Sequence, residues 1–204
     1  MDQRSFAWKA LQAIARAGTT PLFDLKTYGR RNVPKKGGVL LVANHQSYLD
    51  PILVAVHLYR PVSFLAKSEL FENPFLAWLL RLLRAISVRQ GAGDVGAMKE
   101  VIRRLREGYA LSIFPEGTRT VTGEIESLEK GVALVIRRAA VPVVPVAIHG
   151  SFDAWPKGSK VFHPHRIRVK YGKPMDFNGK KADEIVSELE RELRTLLADL
   201  RKET

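Results

Sequence analysis

Short, almost wholly apolar runs that recur between helical segments constrain the fold of this chain most. Gly38-Val39-Leu40-Leu41-Val42-Ala43, Ala110 to Phe114 and Val143 to Ile148 are each strand-sized. A strand apolar at nearly every position must be covered on both faces, which is the situation of a parallel sheet between helical layers. Val62 to Ala66, Ala85 to Val88 and Arg166 to Tyr171 add further strands. Between them lie helices at Asp50 to Tyr59, at Pro74 to Leu83 and at Glu129 to Arg138. Another has Val95, Met98, Ile102 and Leu105 on one face and closes at Gly108. Ile185, Leu189, Leu193, Leu196 and Leu200 form the core stripe of a C-terminal helix. The alternation predicts an α/β fold: a single domain with a mostly parallel central sheet flanked by helices. Ligands of such sheets gather at the carboxyl ends of the strands.

Residues 4 to 17 read as an amphipathic helix, with Lys9, Gln12 and Arg16 on one stripe and Phe6, Trp8, Leu11 and Ile14 around the remainder. Gly18 to Pro21 end it in this reading. Such a helix either lies in a lipid interface or packs on its own domain. The division expected is residues 1–20 as an amphipathic membrane-surface helix and 21–204 as the main domain.

Thirty-three basic against twenty-one acidic side chains leave a formal +12 on 204 residues, so phosphates, anionic headgroups, nucleic acid and acidic carriers are all attracted. The chain has no cysteine, which removes thiol nucleophiles, disulfides and thiolate metal sites. His57, His149, His163 and His165 lack metal-ligand spacing, so no metal is expected. No segment offers the roughly 18 uninterrupted apolar residues of a spanning helix. The N-terminus lacks the pattern of a secretory signal, so the expected location is the cytoplasm or a cytoplasmic membrane face.

Two polar loops follow apolar strands. In Asn44-His45-Gln46-Ser47-Tyr48-Leu49-Asp50, a neutral imidazole can take a proton from an attacking hydroxyl while a carboxylate fixes its tautomer. Asp50 before Pro51 also reads as a helix cap. In Phe114-Pro115-Glu116-Gly117-Thr118-Arg119-Thr120, a glycine, a hydroxyl and a planar guanidinium suit an anionic ligand. A turn held by a surface ion pair between Glu116 and Arg119 reads equally well. Ser47 lacks a nucleophile elbow and is read as a supporting hydrogen-bonding group. Val141 to Ile148 is apolar and carries no catalytic side chain, so it reads most plainly as a buried strand.

Asn-His-x-Ser-x-x-Asp at 44 to 50, Phe-Pro-Glu-Gly-Thr-Arg at 114 to 119 and Val-Pro-Val-Val-Pro-Val-Ala-Ile at 141 to 148 together resemble the glycerolipid acyltransferase family of the H-x-x-x-x-D type. The likeness is greatest to bacterial 1-acyl-glycerol-3-phosphate acyltransferases, and it covers about residues 30 to 175. The resemblance implies that His45 is the general base and Asp50 its orienting partner. It assigns Glu116, Gly117, Thr118 and Arg119 to the acceptor site, with Arg89, Lys67 and Lys130 as further substrate-binding positions. Leu83, Ile86 and Ser87 depart from the family pattern around Arg89, and Lys67 and Lys130 also read as ordinary surface lysines.

The implied activity moves a fatty acyl chain from acyl-CoA or an acyl carrier protein thioester to the free hydroxyl of a lysophospholipid acceptor, 1-acyl-glycerol-3-phosphate, making phosphatidic acid, with no cofactor beyond that co-substrate. The implied site of action is a membrane surface on the cytoplasmic face, reached as a peripheral or monotopic protein. Related acceptors are glycerol 3-phosphate, another lysophospholipid or a glycolipid. The competing class is a non-enzymatic basic module for membranes or nucleic acid, using Arg30, Arg31, Lys35, Lys36 and the stretch from Lys157 to Lys173. The expected partners are lipid and thioester, not nucleic acid.

Overall fold

The computed structural model describes residues 6–89 and 94–203. Its helices are α1 (Phe6–Leu22), α2 (Asp50–Ala55), α3 (Pro74–Leu82), α4 (Val95–Arg106), α5 (Gly131–Ala139), α6 (Ser151–Ala154) and α7 (Ala182–Lys202). Its strands are β1 (Lys26–Tyr28), β2 (Val39–Ala43), β3 (Val62–Lys67), β4 (Ile86–Val88), β5 (Ala110–Ile113), β6 (Val143–His149) and β7 (Arg168–Tyr171). They form one seven-stranded sheet in the order β1-β7-β6-β2-β5-β3-β4. Every neighbouring pair is parallel except β6 and β7.

The apolar strands sit where their composition requires. All five residues of β2 are buried, and they alternate between two cores. Leu40 and Val42 join the core that contains α4, α5 and α7, whereas Val39, Leu41 and Ala43 join one with Leu53 and Val54 of α2. The expected stripe of α7 is inward at Ile185, Leu189, Leu193, Leu196 and Leu200.

Local readings needed correction in four places. The inward face of α4 is Ala97, Val101 and Leu105, while Val95 is exposed; Met98 and Ile102 flank that face rather than define it. The helix from Asp50 stops at Ala55 instead of Tyr59. β1 went unread because it is three residues long, partly polar and at the sheet edge. Finally, α1 runs through Gly18 and Pro21 to Leu22, since residues beyond the proline still supply amides to Thr19 and Thr20 carbonyls.

Two members of the polar stripe of α1, Gln12 and Arg16, reach the domain, while Lys9 is exposed. Gln12 Nε2 donates to the Leu58 carbonyl at 2.7 Å and Arg16 Nη2 to the Val56 carbonyl at 3.3 Å. These carbonyls follow the end of short α2, where helical partners run out. Phe6 and Ile14 are correspondingly exposed, and Trp8 is buried. Among the described residues, no helix is long and apolar enough to cross a membrane.

Candidate active site

β2 ends at Ala43, and the next side chain prolongs its pairing with β6. Asn44 Nδ2 donates to the Ile148 carbonyl at 2.9 Å, and Ile148 N donates to Asn44 Oδ1 at 2.7 Å. The loop that starts at His45 is thereby anchored to the middle of the sheet.

Asp50 is the first residue of α2, but its carboxylate turns back and caps no amide of that helix. Oδ2 accepts from His45 Nδ1 at 2.8 Å, from Gln46 N at 2.6 Å and from Ser47 N at 2.7 Å. Oδ1 accepts from the Ser151 hydroxyl at 2.8 Å. A fully buried carboxylate with four donors has its charge compensated, so the helix-cap reading gives way to that of an orienting anion. Ser47 is occupied as expected: its hydroxyl donates to the Trp155 carbonyl and accepts from Leu49 N.

The Asp50 bond fixes the imidazole of His45 through Nδ1 and leaves Nε2 as the basic nitrogen. Phe114 stacks on the ring, with centroids 4.2 Å apart and planes at 24°. His45 lines a cavity of about 400 Å3 whose apolar wall includes Leu65, Met98, Ile113, Val132 and Val135. The cavity lies at the carboxyl ends of β2, β3, β4 and β5, as expected for a mostly parallel sheet. A larger crevice of about 640 Å3 lies at the far end of α5, between Ile136 and Lys180; it is lined by Val141 and Pro142 of the third block but by no residue of the two polar motif loops.

The second loop is held against the first. Glu116 Oε1 accepts from His45 N at 2.7 Å and Oε2 from Glu126 N at 2.9 Å, while Thr120 N donates to the His45 carbonyl. Burial pushes the Glu116 carboxyl up to about 7, against the opposing pull of the two amides. Gly117 adopts φ +68°, a left-handed conformation that favours glycine, and a Cβ there would displace the Glu129 carboxylate, whose Oε1 would lie 2.2 Å away.

The positions taken as substrate-binding separate into groups. Lys67, Arg89 and Gly117 line the cavity with His45. Arg119 lies over the Tyr48 ring, its guanidinium carbon 3.4 Å from the centroid, with Nη1 buried and unpartnered. Thr118 accepts from Lys157, a residue the sequence reading placed only in a general basic stretch. Each oxygen of Glu116 accepts from a backbone amide, and among the described residues no ion pair joins it to Arg119. Lys130 turns away from the cavity and pairs with Asp183 of α7 at 3.0 Å, both chains being highly exposed. The sequence reading missed Ser151, which Gly150 delivers by a left-handed turn at φ +86°. Among the described residues no cluster of three His, Asp or Glu side chains is arranged to hold a metal ion.

Residues 24–149 match the family described as Acyltransferase. The chloroplastic 1-acyl-sn-glycerol-3-phosphate acyltransferase of Arabidopsis thaliana is 30% identical over 172 residues, which cover 82% of this chain and 48% of that protein. The 1-acyl-sn-glycerol-3-phosphate acyltransferase of Bacillus subtilis is 28% identical over 152 residues, covering 74% of this chain and 73% of that protein. The crystal structure of the 1-acyl-sn-glycerophosphate acyltransferase PlsC from Thermotoga maritima superposes with a TM-score of 0.85 at 31% identity, covering 95% of this chain and 79% of that one. The chain spans about half the length of the plant relatives it matches.

Proposed function

The chain belongs to the acyltransferase family, and we propose that it transfers a fatty acyl group from a thioester to the free hydroxyl of a 1-acyl-glycerol-3-phosphate, forming phosphatidic acid. The observation that carries this reading is the His45–Asp50 pair, 2.8 Å apart, at the wall of an apolar cavity flanked by Lys67 and Arg89. The names of the relatives support the same choice of acceptor.

The step is a direct displacement. His45 Nε2 takes the proton of the acceptor hydroxyl as its oxygen attacks the thioester carbonyl. The buried Asp50 carboxylate stabilises the resulting imidazolium and keeps the ring in one tautomer. Collapse of the tetrahedral centre breaks the carbon–sulfur bond, and the leaving thiolate recovers the proton from His45. No acyl-enzyme forms, in keeping with the engagement of the Ser47 hydroxyl elsewhere. The apolar wall between α4 and α5 accepts the acyl chain, and the phosphate is attracted by Lys67 and Arg89 of the cavity lining and by Arg119, held outside that lining over Tyr48.

The donor is acyl-CoA or an acyl carrier protein thioester, and the reaction takes place at the cytoplasmic face of the cell membrane. Helix α1, the described part of the 1–20 segment and its continuation to Leu22, serves as a surface helix there, presenting Phe6 and Ile14 outward while Gln12 and Arg16 hold it to the domain. The substrate assignment is tested by mass spectrometry of products after incubation with a panel of acyl thioesters and lysolipids. Diacylglycerol phosphate should dominate, and preferential acylation of a neutral or glycolipid acceptor would redirect it.

A further inference from the structure

α3 has the sequence of a core helix and the surroundings of a surface one. Its nine residues, Pro-Phe-Leu-Ala-Trp-Leu-Leu-Arg-Leu, carry a single charge. A helix apolar all round is normally buried. Here only Ala77 is buried, and no residue of α3 belongs to either of the two cores. Phe75 is 68% exposed and Trp78 59%, their rings 6.1 Å apart, and Leu76 is exposed beside them. Leu70, in the turn leading to α3, extends the patch.

Position and charge indicate what covers this patch. α3 connects β3 to β4, whose ends supply Lys67, Val88 and Arg89 to the rim and wall of the catalytic cavity. Phe75 and Trp78 lie in its first half, at the end of the sheet where the cavity lies. Arg81 lies one turn beyond Trp78, about 4.5 Å along the axis, a spacing that sets a cation at headgroup level when the ring sinks below it. Around the patch, Lys67, Arg81, Arg84 and Arg89 outnumber the exposed carboxylates Glu69 and Glu72. Apolar side chains ringed by excess positive charge suit an anionic lipid monolayer, with tryptophan at its polar boundary.

We propose that the Phe75–Trp78 face of α3, with Leu70 and Leu76, docks into an anionic lipid monolayer and brings the cavity rim against the membrane. The route of the acceptor from bilayer to His45 rests on the acyltransferase reading above, whereas the docking itself is independent of turnover.

The test uses the full chain with vesicles of equal parts phosphatidylglycerol and phosphatidylcholine. The double substitution Phe75→Ser and Trp78→Ser replaces exposed side chains, so circular dichroism should be unchanged. It should lower vesicle partitioning by about tenfold or more. In wild-type protein, brominated acyl chains should quench tryptophan emission, and Trp78→Phe should remove most of that quenching while binding persists. Turnover of a short-chain acceptor dispersed in detergent should be unaffected by the double substitution. Unchanged partitioning of the double variant would overturn the proposal. So would lipid quenching that survives Trp78→Phe, or a lipid-free dimer that the double substitution dissolves, because a second copy would then be the occupant. A wild-type protein that inserts through Trp78 yet acylates no lysophospholipid would overturn the catalytic reading and leave the docking intact.

Discussion

Ser151 donates a 2.8 Å hydrogen bond to Asp50 Oδ1, the oxygen opposite the one that receives His45. Both partners are fully buried, so neither gains water when the other is removed. The hydroxyl thus restrains rotation of the carboxylate whose other oxygen orients the His45 ring. Ser151→Ala should lower unfolding stability by about 1–3 kcal/mol, the cost of an unsatisfied buried acceptor. It should also reduce kcat about tenfold with little change in either KM, since the substrates do not touch Ser151. Ser151→Thr, which retains the hydroxyl, should recover most of kcat. Urea titration and steady-state kinetics check these outcomes, and a loss confined to KM would contradict the positioning role.

Glu116 links the two motif loops, and its buried carboxyl is pushed from 4.5 up to about 7. A carboxyl with a raised folded value holds its proton longer in the native state than in the unfolded chain. Its contribution to stability is therefore complete below about 4.5 and is lost as pH rises through about 7. Glu116→Gln has nothing to titrate in that window. Unfolding free energies measured at a series of pH values should show wild type losing ground relative to Glu116→Gln across the window. Parallel curves would contradict the assignment. The amide oxygen can still accept one of the two backbone donors, but the NH2 group meets the other, so the variant should be less active even where it is as stable.

Arg119 spreads its guanidinium over Tyr48 at 3.4 Å. A lysine cannot reproduce either that stacking or a forked phosphate contact. Arg119→Lys should raise the acceptor KM about tenfold, on the scale of one lost charge-assisted hydrogen bond of about 1.5–3 kcal/mol. The thioester KM should stay nearly constant. Kinetics with phosphorylated and neutral acceptors provide the check: an equal loss with every substrate would make Arg119 a structural group of the loop.

Much of this architecture was legible because burial on both faces leaves a strong imprint on strands such as Val39–Ala43 and Val143–His149. The motif loops were equally plain, since each follows such a strand directly. What periodicity could not convey was pairing across distance. Ser151 lies 101 residues from Asp50, and nothing in Gly150-Ser151 marks it until β6 is placed beside β2. The stripe of α1 was readable as amphipathic, but its orientation was not, because unpartnered carbonyls after α2 draw Gln12 and Arg16 inward. Lys130 and Lys67 look alike in sequence. Only the fold sends one to Asp183 and the other to the cavity.

The central claim is that His45 Nε2 removes the acceptor's hydroxyl proton, and product formation by His45→Ala tests it most directly. Wild-type and variant protein would be incubated with acyl-CoA and 1-acyl-glycerol-3-phosphate, with phosphatidic acid quantified by mass spectrometry and released thiol measured in parallel. Losing a general base costs about 10²–10⁴-fold, so both signals should fall by at least that range while circular dichroism and thermal stability remain near wild type. Phosphatidic acid formed by a folded His45→Ala protein at a near-normal rate would contradict the account.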